Sequence, residues 1–217
     1  MTKSLPIAAR RDSEETRERI LDALARIIVR DGLSAVGVNS LSREAGCDKV
    51  LIYRYFGDLD GVYEAYAERG DIWHSTEELL SGIDPASTSL ADAIKQCIRN
   101  HAAGIRKRPL TTAVLAAELS DRTPLVLALE AVRERRGNAV EAWLAKHYEP
   151  PPGLDLPAIG LLLSAAVNYL AIRARDIRVM SGVPIKTSGD WERLLSAADR
   201  IIDSAFSTAL PSSGKLA

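Results

Sequence analysis

The segment LSREAGCDKVLIYRYF, residues 41–56, decides how this chain folds. Apolar residues recur at helical spacing on both sides of Gly46, and Asp48 can cap a new helix by accepting a backbone N–H. We therefore predict two short helices, over 38–45 and 49–56, with about three residues between them. Two helices joined by a short glycine-containing turn form a helix-turn-helix corner.

A longer amphipathic helix precedes this corner. We expect it to start at Asp12 or Ser13 and to end at Asp31, where the following Gly32 can adopt a left-handed cap. Ile52 lies one turn before Phe56, so both can pack against the apolar faces of the other two helices. Those faces consist of Ile20, Leu24 and Ile27 in the first helix and Val38, Leu41 and Ala45 in the second. The pattern predicts a core of three helices.

The same packing turns the other face of the second short helix outward. With Ile52 and Phe56 inside, four residues must look largely outward and two must lie at the flanks. The outward residues are Lys49, Val50, Tyr53 and Arg54, and the flanking residues are Leu51 and Tyr55. A solvated face that happens to carry two tyrosines is the simpler interpretation. Tyrosine hydroxyls and cationic side chains, however, have the reach and the donors to bind phosphates, which favours a nucleic-acid contact.

Helical spacing continues beyond Gly57, while alternating β-branched runs are nearly absent. Prolines and turn residues separate six further helices, which we expect over 58–81, 89–107, 109–120, 123–148, 155–179 and 190–209. The sequence therefore predicts an all-α chain of nine helices. Three belong to an N-terminal domain, residues 1–57, and six to a C-terminal domain, residues 58–217.

Composition excludes several classes of protein. The chain is 47% hydrophobic and 26% charged with a net charge of −1, as in a soluble globular protein. Cys47 and Cys97 are too few for a disulfide framework, so we interpret them as packing residues. The N-terminus has no apolar stretch of the length that a secretory signal requires, which favours the cytoplasm. The most apolar run, 158–172, is shorter than the ~20 residues of a membrane span, so we expect no membrane partner and a buried helix.

Motifs of catalysis and metal binding are also missing. The three histidines, His74, His101 and His147, lack metal-ligand spacing, and the chain has no HExxH, GxGxxG, phosphate-binding loop or GxSxG motif. We therefore expect no catalytic residue, no metal and no cofactor.

The helix-turn-helix segment resembles the TetR family of transcriptional repressors. The resemblance rests on an apolar and a small residue, then Ala45-Gly46, then a capping polar residue, then Tyr53-x-aromatic-Phe56. It implies a homodimer whose two recognition helices enter successive major grooves of a palindromic double-stranded DNA operator. It also implies control by a small-molecule effector that binds the C-terminal domain.

The resemblance assigns roles to single residues. Tyr53 and Tyr55 would contact phosphates, with support from Arg54, while Lys49 and Asn39 would read base edges. Val50 and Leu51 would touch the groove floor, and Arg10 and Arg11 would reach the backbone or an adjacent minor groove.

Two positions depart from the family pattern. Gly37 replaces a threonine that would contact phosphate, and Leu59 replaces a lysine that anchors the backbone. Leu59 also lies between Asp58 and Asp60, which places acidic groups near the DNA. For Asp58 we favour a role as the N-cap of the fourth helix.

In the family, the last two helices form a four-helix bundle across a two-fold axis. The apolar run 158–172 suits such an interface because a helix that is apolar on all sides must be covered from two directions. The candidate interface residues are Gly160, Leu162, Ser164 and Ala165. A core helix of a monomer is the alternative.

Candidate effector-binding residues are the polar or aromatic side chains within apolar helical runs. They are Trp73, His101, Glu118, Asn168 and Tyr169. Few aromatic residues and many Leu, Ala and Val favour an apolar or amphipathic ligand. Two other functions stay open: a helical adaptor with a degenerate helix-turn-helix, and a helical enzyme without a recognised motif.

Overall fold

The computed structural model describes residues 7–70, 72–120 and 122–209. By contacts the chain divides into two compact units, Met1–Asp71 with Ala117–Val132 and Ile72–Ala116 with Arg133–Ala217. The domain boundary after Gly57 stays a prediction. The predicted all-α class is confirmed, since ten α-helices lie in the described residues.

Four helices build most of the first unit: α1 (Ile7–Asp31), α2 (Val38–Ala45), α3 (Lys49–Phe56) and α4 (Leu59–Glu68). A 3-10 turn, Leu33–Ala35, joins α1 to α2. Ile20, Leu24 and Ile27 of α1 are buried together with Leu41, Ala45 and Ile52, so the predicted three-helix core is confirmed. At the edge of this core, ion pairs join α1 to α2: Arg26 and Arg30 bind Glu44 at 2.8 and 2.9 Å.

The second unit contains α5 (Thr76–Leu79), α6 (Leu90–Lys107), most of α7 (Pro109–Ala117), α9 (Leu156–Arg173) and α10 (Ser188–Thr208). Helix α8 (Pro124–His147) contributes to both units. Helix α6 packs against both α9 and α10. Arg99 of α6 binds Asp199 at 2.6 Å and Glu192 at 3.0 Å, which fixes α10 along α6.

Several predicted boundaries are wrong. Helix α1 begins at Ile7 rather than at Asp12 or Ser13, since Ala8 to Arg11 are strong helix formers with no breaker among them. The single helix expected over 58–81 is broken. Gly70 adopts a φ of 92° after α4, and Ser75 starts α5 with a capping box in which Glu78 takes part.

The helix expected over 155–179 ends at Arg173 instead. The chain then forms a small hairpin of β1 (Val179–Met180) and β2 (Val183–Pro184). Ser181 and Gly182, at the turn, have φ values of 49° and 78°, which match a tight two-residue hairpin turn. A short β-branched pair around such a turn favours a hairpin over a continued helix.

Candidate nucleic-acid interface and effector site

Helix α3 is held by its cap and by its inner face. The Asp48 carboxylate accepts the Val50 N–H at 2.8 Å, which confirms the predicted N-cap. Ile52 is fully buried and Phe56 is half-buried. The helix has only two turns, so these inward contacts rather than helical propensity decide its orientation.

The outer face of α3 has the predicted arrangement. Val50 and Tyr53 are 67% and 51% exposed, and Lys49 and Arg54 are exposed as well. Leu51 and Tyr55 are half-buried at the flanks. The Arg54 guanidinium carbon lies 5.9 Å from the centre of the Tyr55 ring. This face therefore presents two cations and two phenol groups beside an exposed valine.

The other predicted DNA contacts lie on α1 and α2. Asn39 is exposed on α2, one residue after that helix starts. Gly37 precedes α2 in extended backbone and caps it without a side chain, while its N–H donates to the Ser40 hydroxyl at 2.9 Å. Arg10 and Arg11 belong to α1 by their backbone, but their side chains lie outside the described residues.

A tight corner joins α3 to α4. The Asp58 carboxylate accepts the Gly61 N–H at 2.8 Å, so the predicted N-cap of α4 is confirmed. Gly57 has a φ of 82°, and a Cβ on Gly61 would overlap the Phe56 carbonyl oxygen. Both glycines are therefore required where the two helices meet.

Sequence reasoning missed one residue that contacts the end of α3. Arg17 of α1 donates from Nη1 to the Tyr55 carbonyl oxygen at 2.7 Å, and its guanidinium carbon lies 4.4 Å from the centre of the Phe56 ring. A signal was present. Arg17 lies three residues before Ile20 and seven before Leu24, so a charged residue occupies the inward stripe of α1.

In the second unit, a chain of polar side chains connects three segments. His74 Nε2 lies 3.0 Å from His101 Nδ1, and His101 Nε2 lies 2.9 Å from Asn168 Oδ1. Because the amide oxygen can only accept, His101 carries its proton on Nε2 and accepts from His74 through Nδ1. His74 Nδ1 is then an acceptor, and it is buried without a hydrogen-bond partner.

The surroundings keep both imidazoles neutral. Burial, together with the neighbouring His101, lowers the pKa of His74 from 6.5 to about 3. Burial also lowers the pKa of His101, against the opposite effect of its hydrogen bond to Asn168. Gly104 leaves room for the His74 ring, since a Cβ there would lie 2.8 Å from His74 Nδ1.

The five predicted effector residues have different surroundings. His101 and Asn168 contact each other, and Trp73 is buried beside His74 with the Arg133 guanidinium carbon 5.6 Å from its ring. Tyr169 is 47% exposed on α9, while half-buried Glu118 belongs to the first unit. A depression of about 300 Å³ lies elsewhere, at the hairpin beside Lys186 and Asp190.

Helix α9 exposes a broad apolar face. Leu161 and Leu162 are each 70% exposed, and Ala165 is exposed beside half-buried Gly160 and Ser164. The buried helix expected over this run is therefore wrong for the single chain. By length and composition alone, α9 is also the one helix among the described residues that could cross a membrane, with a mean hydropathy of 1.5. An uncovered face of this kind is typical of a surface that binds a partner.

Comparison with known proteins identifies the N-terminal helices. A profile described as "Bacterial regulatory proteins, tetR family" matches residues 20–66. The chain is 26% identical over 130 residues to an uncharacterized HTH-type transcriptional regulator of Mycobacterium tuberculosis, and the match covers 58% of this chain. The chain thus spans 64% of the length of that relative. It is also 24% identical over 206 residues to the HTH-type transcriptional repressor SCO4008 of Streptomyces coelicolor, covering 90% of this chain and 99% of that protein.

Solved structures share the fold along nearly the whole chain. A TetR-family transcription regulator from Marinobacter aquaeolei aligns with a TM-score of 0.57 at 17% identity, covering 92% of this chain and 98% of its own. The fatty acid degradation regulator FadR from Bacillus halodurans aligns with a TM-score of 0.57 at 16% identity, covering 93% and 96%. Residues 20–66 therefore carry the helix-turn-helix of the bacterial tetR regulatory family, and the chain as a whole has the fold of TetR-family regulators.

Proposed function

We propose that this chain is a homodimeric repressor that binds a palindromic DNA operator through α3 and is released by a small apolar or amphipathic effector. The observation that carries the proposal is the outward face of α3, where Lys49, Val50, Tyr53 and Arg54 are exposed on a helix whose other face is packed. A two-turn helix fixed from behind by a three-helix core can enter the major groove as a rigid element. Because the proposed operator is chromosomal DNA, we also propose that the protein acts in the cytoplasm.

The outer face combines two kinds of DNA contact. Tyr53, Tyr55 and Arg54 supply donors for phosphate oxygens, which would set the register of the protein on the duplex. Lys49 on α3 and Asn39 on α2 would donate to base edges, while Val50 and Leu51 would contact the groove floor. Arg10 and Arg11 would add backbone or minor-groove contacts from α1. Leu59 offers no cation at the start of α4, so these contacts carry more of the affinity.

Selection of bound sequences from random double-stranded DNA tests this proposal. We expect a palindromic motif and an affinity that falls with salt, because phosphate contacts release counterions. Lys49→Ala should cost about 1–3 kcal/mol at one base position and relax the preference there. Tyr53→Phe serves as the matched phosphate variant and should weaken all sequences alike. Recovery of no sequence above background would reject the DNA-binding proposal.

The exposed face of α9 supports the homodimer. Leu161, Leu162 and Ala165 are exposed beside Gly160 and Ser164, whose small side chains allow close helix approach. Ile201 of α10 is also 58% exposed, and a second copy would cover it if α10 takes part in the interface. Sedimentation should show a dimer at micromolar concentration. Leu162→Glu should yield monomers, whereas the exposed Arg193→Glu should not. A monomeric native chain would reject the two-half-site mode of binding.

The buried polar chain supports an effector site in the second unit. His101 and Asn168 are half-buried and hydrogen-bonded to each other, and neutral imidazoles favour an uncharged hydrogen-bonding group over an ion. Trp73 and Tyr169 are further candidates in this unit, and Glu118 is a separate candidate in the first unit. A thermal-shift screen of apolar and amphipathic compounds should reveal stabilising ligands, and Asn168→Leu should reduce their effect. If a ligand releases DNA equally from the native chain and from Asn168→Leu, the effector site lies elsewhere.

A further inference from the structure

The end of α3 is contacted by a residue of α1 that sequence reasoning did not assign to DNA binding. Arg17 donates to the carbonyl oxygen of Tyr55 at 2.7 Å and stacks over the ring of Phe56 at 4.4 Å. Tyr55 and Phe56 are the last two residues of α3. One side chain therefore binds both the backbone and an aromatic ring in the final turn.

The final turn of α3 needs such a contact. The last carbonyl groups of a helix have no donor within the helix. In the part of the chain that the structure describes, the Tyr53 carbonyl alone among them receives a backbone cap hydrogen bond, from the Gly57 N–H at 2.9 Å. A guanidinium group satisfies the Tyr55 carbonyl and is also favoured at the negative end of the helix dipole. Because α3 has eight residues, its last turn is half of the helix.

We propose that Arg17 is a positioning residue for DNA recognition. It holds the final turn of α3, and thereby orients Tyr53, Arg54 and Tyr55, without itself reading the operator. This inference rests on the proposed function. Asp48 fixes the first turn of α3 and Ile52 its middle, so Arg17 completes the set of contacts that determine the direction of the helix.

A direct phosphate contact is the competing role for Arg17, and the two roles predict different results. A phosphate contact affects all DNA sequences alike and contributes to the salt dependence of binding. A positioning contact acts through α3, so its loss lowers the preference for the operator over other DNA. It also changes the dynamics of α3 in the absence of DNA.

The first measurement uses the free full-length protein. Hydrogen exchange is compared among the native chain, Arg17→Gln, Arg17→Lys and the control Arg19→Gln. Arg19 is exposed on the same helix, and its replacement removes the same charge. We expect the amides of residues 53–57 to exchange about fivefold faster or more in Arg17→Gln, because local opening of the last turn becomes easier. Arg17→Lys should show an intermediate rate, and Arg19→Gln the native rate.

The second measurement compares binding to the selected operator and to sheared DNA. Arg17→Gln should lose about tenfold in operator affinity, equivalent to about 1.4 kcal/mol, with a smaller loss on sheared DNA. Arg17→Lys should restore part of the operator preference. In the Phe56→Leu background, Arg17→Gln should have a smaller effect because the two side chains act through one contact.

Two results would overturn the inference. Unchanged exchange at residues 53–57 in Arg17→Gln would show that Arg17 does not hold the helix end. Equal losses on operator and sheared DNA, with a shallower salt dependence, would identify Arg17 as a phosphate contact instead. If the native chain selects no DNA, the proposed function fails and the role of Arg17 in recognition fails with it. The exchange data would still report separately whether the Arg17 contact exists.

Discussion

The two candidate sites of this molecule are constructed in opposite ways. The proposed DNA-binding surface comes mainly from one eight-residue helix, so its side chains keep their spacing as long as α3 is folded. The buried polar chain joins His74, His101 and Asn168, which lie 27 and 67 positions apart along the sequence. It exists only when α6 and α9 are packed. The first site therefore depends on the few residues that hold one helix, and the second on the folding of a whole unit.

The largest expected effect removes the main anchor of α3. Ile52 is fully buried, so Ile52→Ala should lower the free energy of unfolding of the first unit by about 2–5 kcal/mol. Val50→Ala is the matched control, because Val50 is exposed on the same helix and its loss should cost little. Urea unfolding followed by circular dichroism measures both. Equal midpoints for the two variants would contradict the assignment of the inner and outer faces.

A somewhat smaller effect is expected at the corner between α3 and α4. A Cβ on Gly61 would overlap the Phe56 carbonyl oxygen and lie 3.1 Å from its carbon, so Gly61→Ala should cost about 1–3 kcal/mol. Gly137 of α8 is the control, since it has open space around it and no positive φ. Gly137→Ala should stabilise the protein by up to about 1 kcal/mol. A neutral Gly61→Ala variant would show that the corner can open without loss.

The same contrast explains what the sequence could predict. Helices α2 and α3 have the predicted bounds, because Gly46 and Asp48 mark the turn locally and Ile52 and Phe56 fix the inner face. The hydrogen bond from Arg17 to Tyr55 joins residues 38 positions apart. No local pattern indicates which carbonyl group an arginine on the inward face of α1 will contact. The sequence predicts His101 and Asn168 as candidates because they are polar residues in apolar helices. The hydrogen bonds that join His101 to Asn168 and to His74 depend on the packing of α6, which periodicity does not specify.

Helix ends beyond the helix-turn-helix show the same limit. The break after α4 was missed because Gly70 within a helical pattern carries only a weak signal, while the deciding capping box at Ser75 involves the side chain of Glu78. The hairpin at 179–184 was missed because a two-residue strand is too short for an alternating pattern.

Lowering the pH should destabilise the buried polar chain. The pKa of His74 falls from 6.5 to about 3 on folding, so between these values the unfolded chain binds the additional proton. The contribution of neutral His74 to the free energy of unfolding is therefore fully present at pH 7. It decreases as the pH falls below about 6.5, by about 2 kcal/mol at pH 5. Urea midpoints at pH 7 and pH 5 measure the loss, which should shrink in His74→Gln. A pH-independent native midpoint would contradict the neutral, buried state of His74.

The smallest effect compares one helix cap in each unit. Asp48 caps α3 through the Val50 N–H, and Thr187 caps the 21-residue α10 in a capping box with Asp190. Either Asp48→Ala or Thr187→Ala should cost about 1 kcal/mol of unfolding free energy, because each leaves a terminal N–H without its partner.

The two cap variants should differ in their effects on DNA binding. Loss of the Asp48 cap frees the first turn of α3, which carries Lys49 and Val50, so operator affinity should fall by more than the change in stability accounts for. Thr187→Ala should leave operator affinity at the native value under conditions where the protein is fully folded. If both variants weaken DNA binding equally, the proposed DNA-binding surface depends on the second unit as much as on the contacts that hold α3.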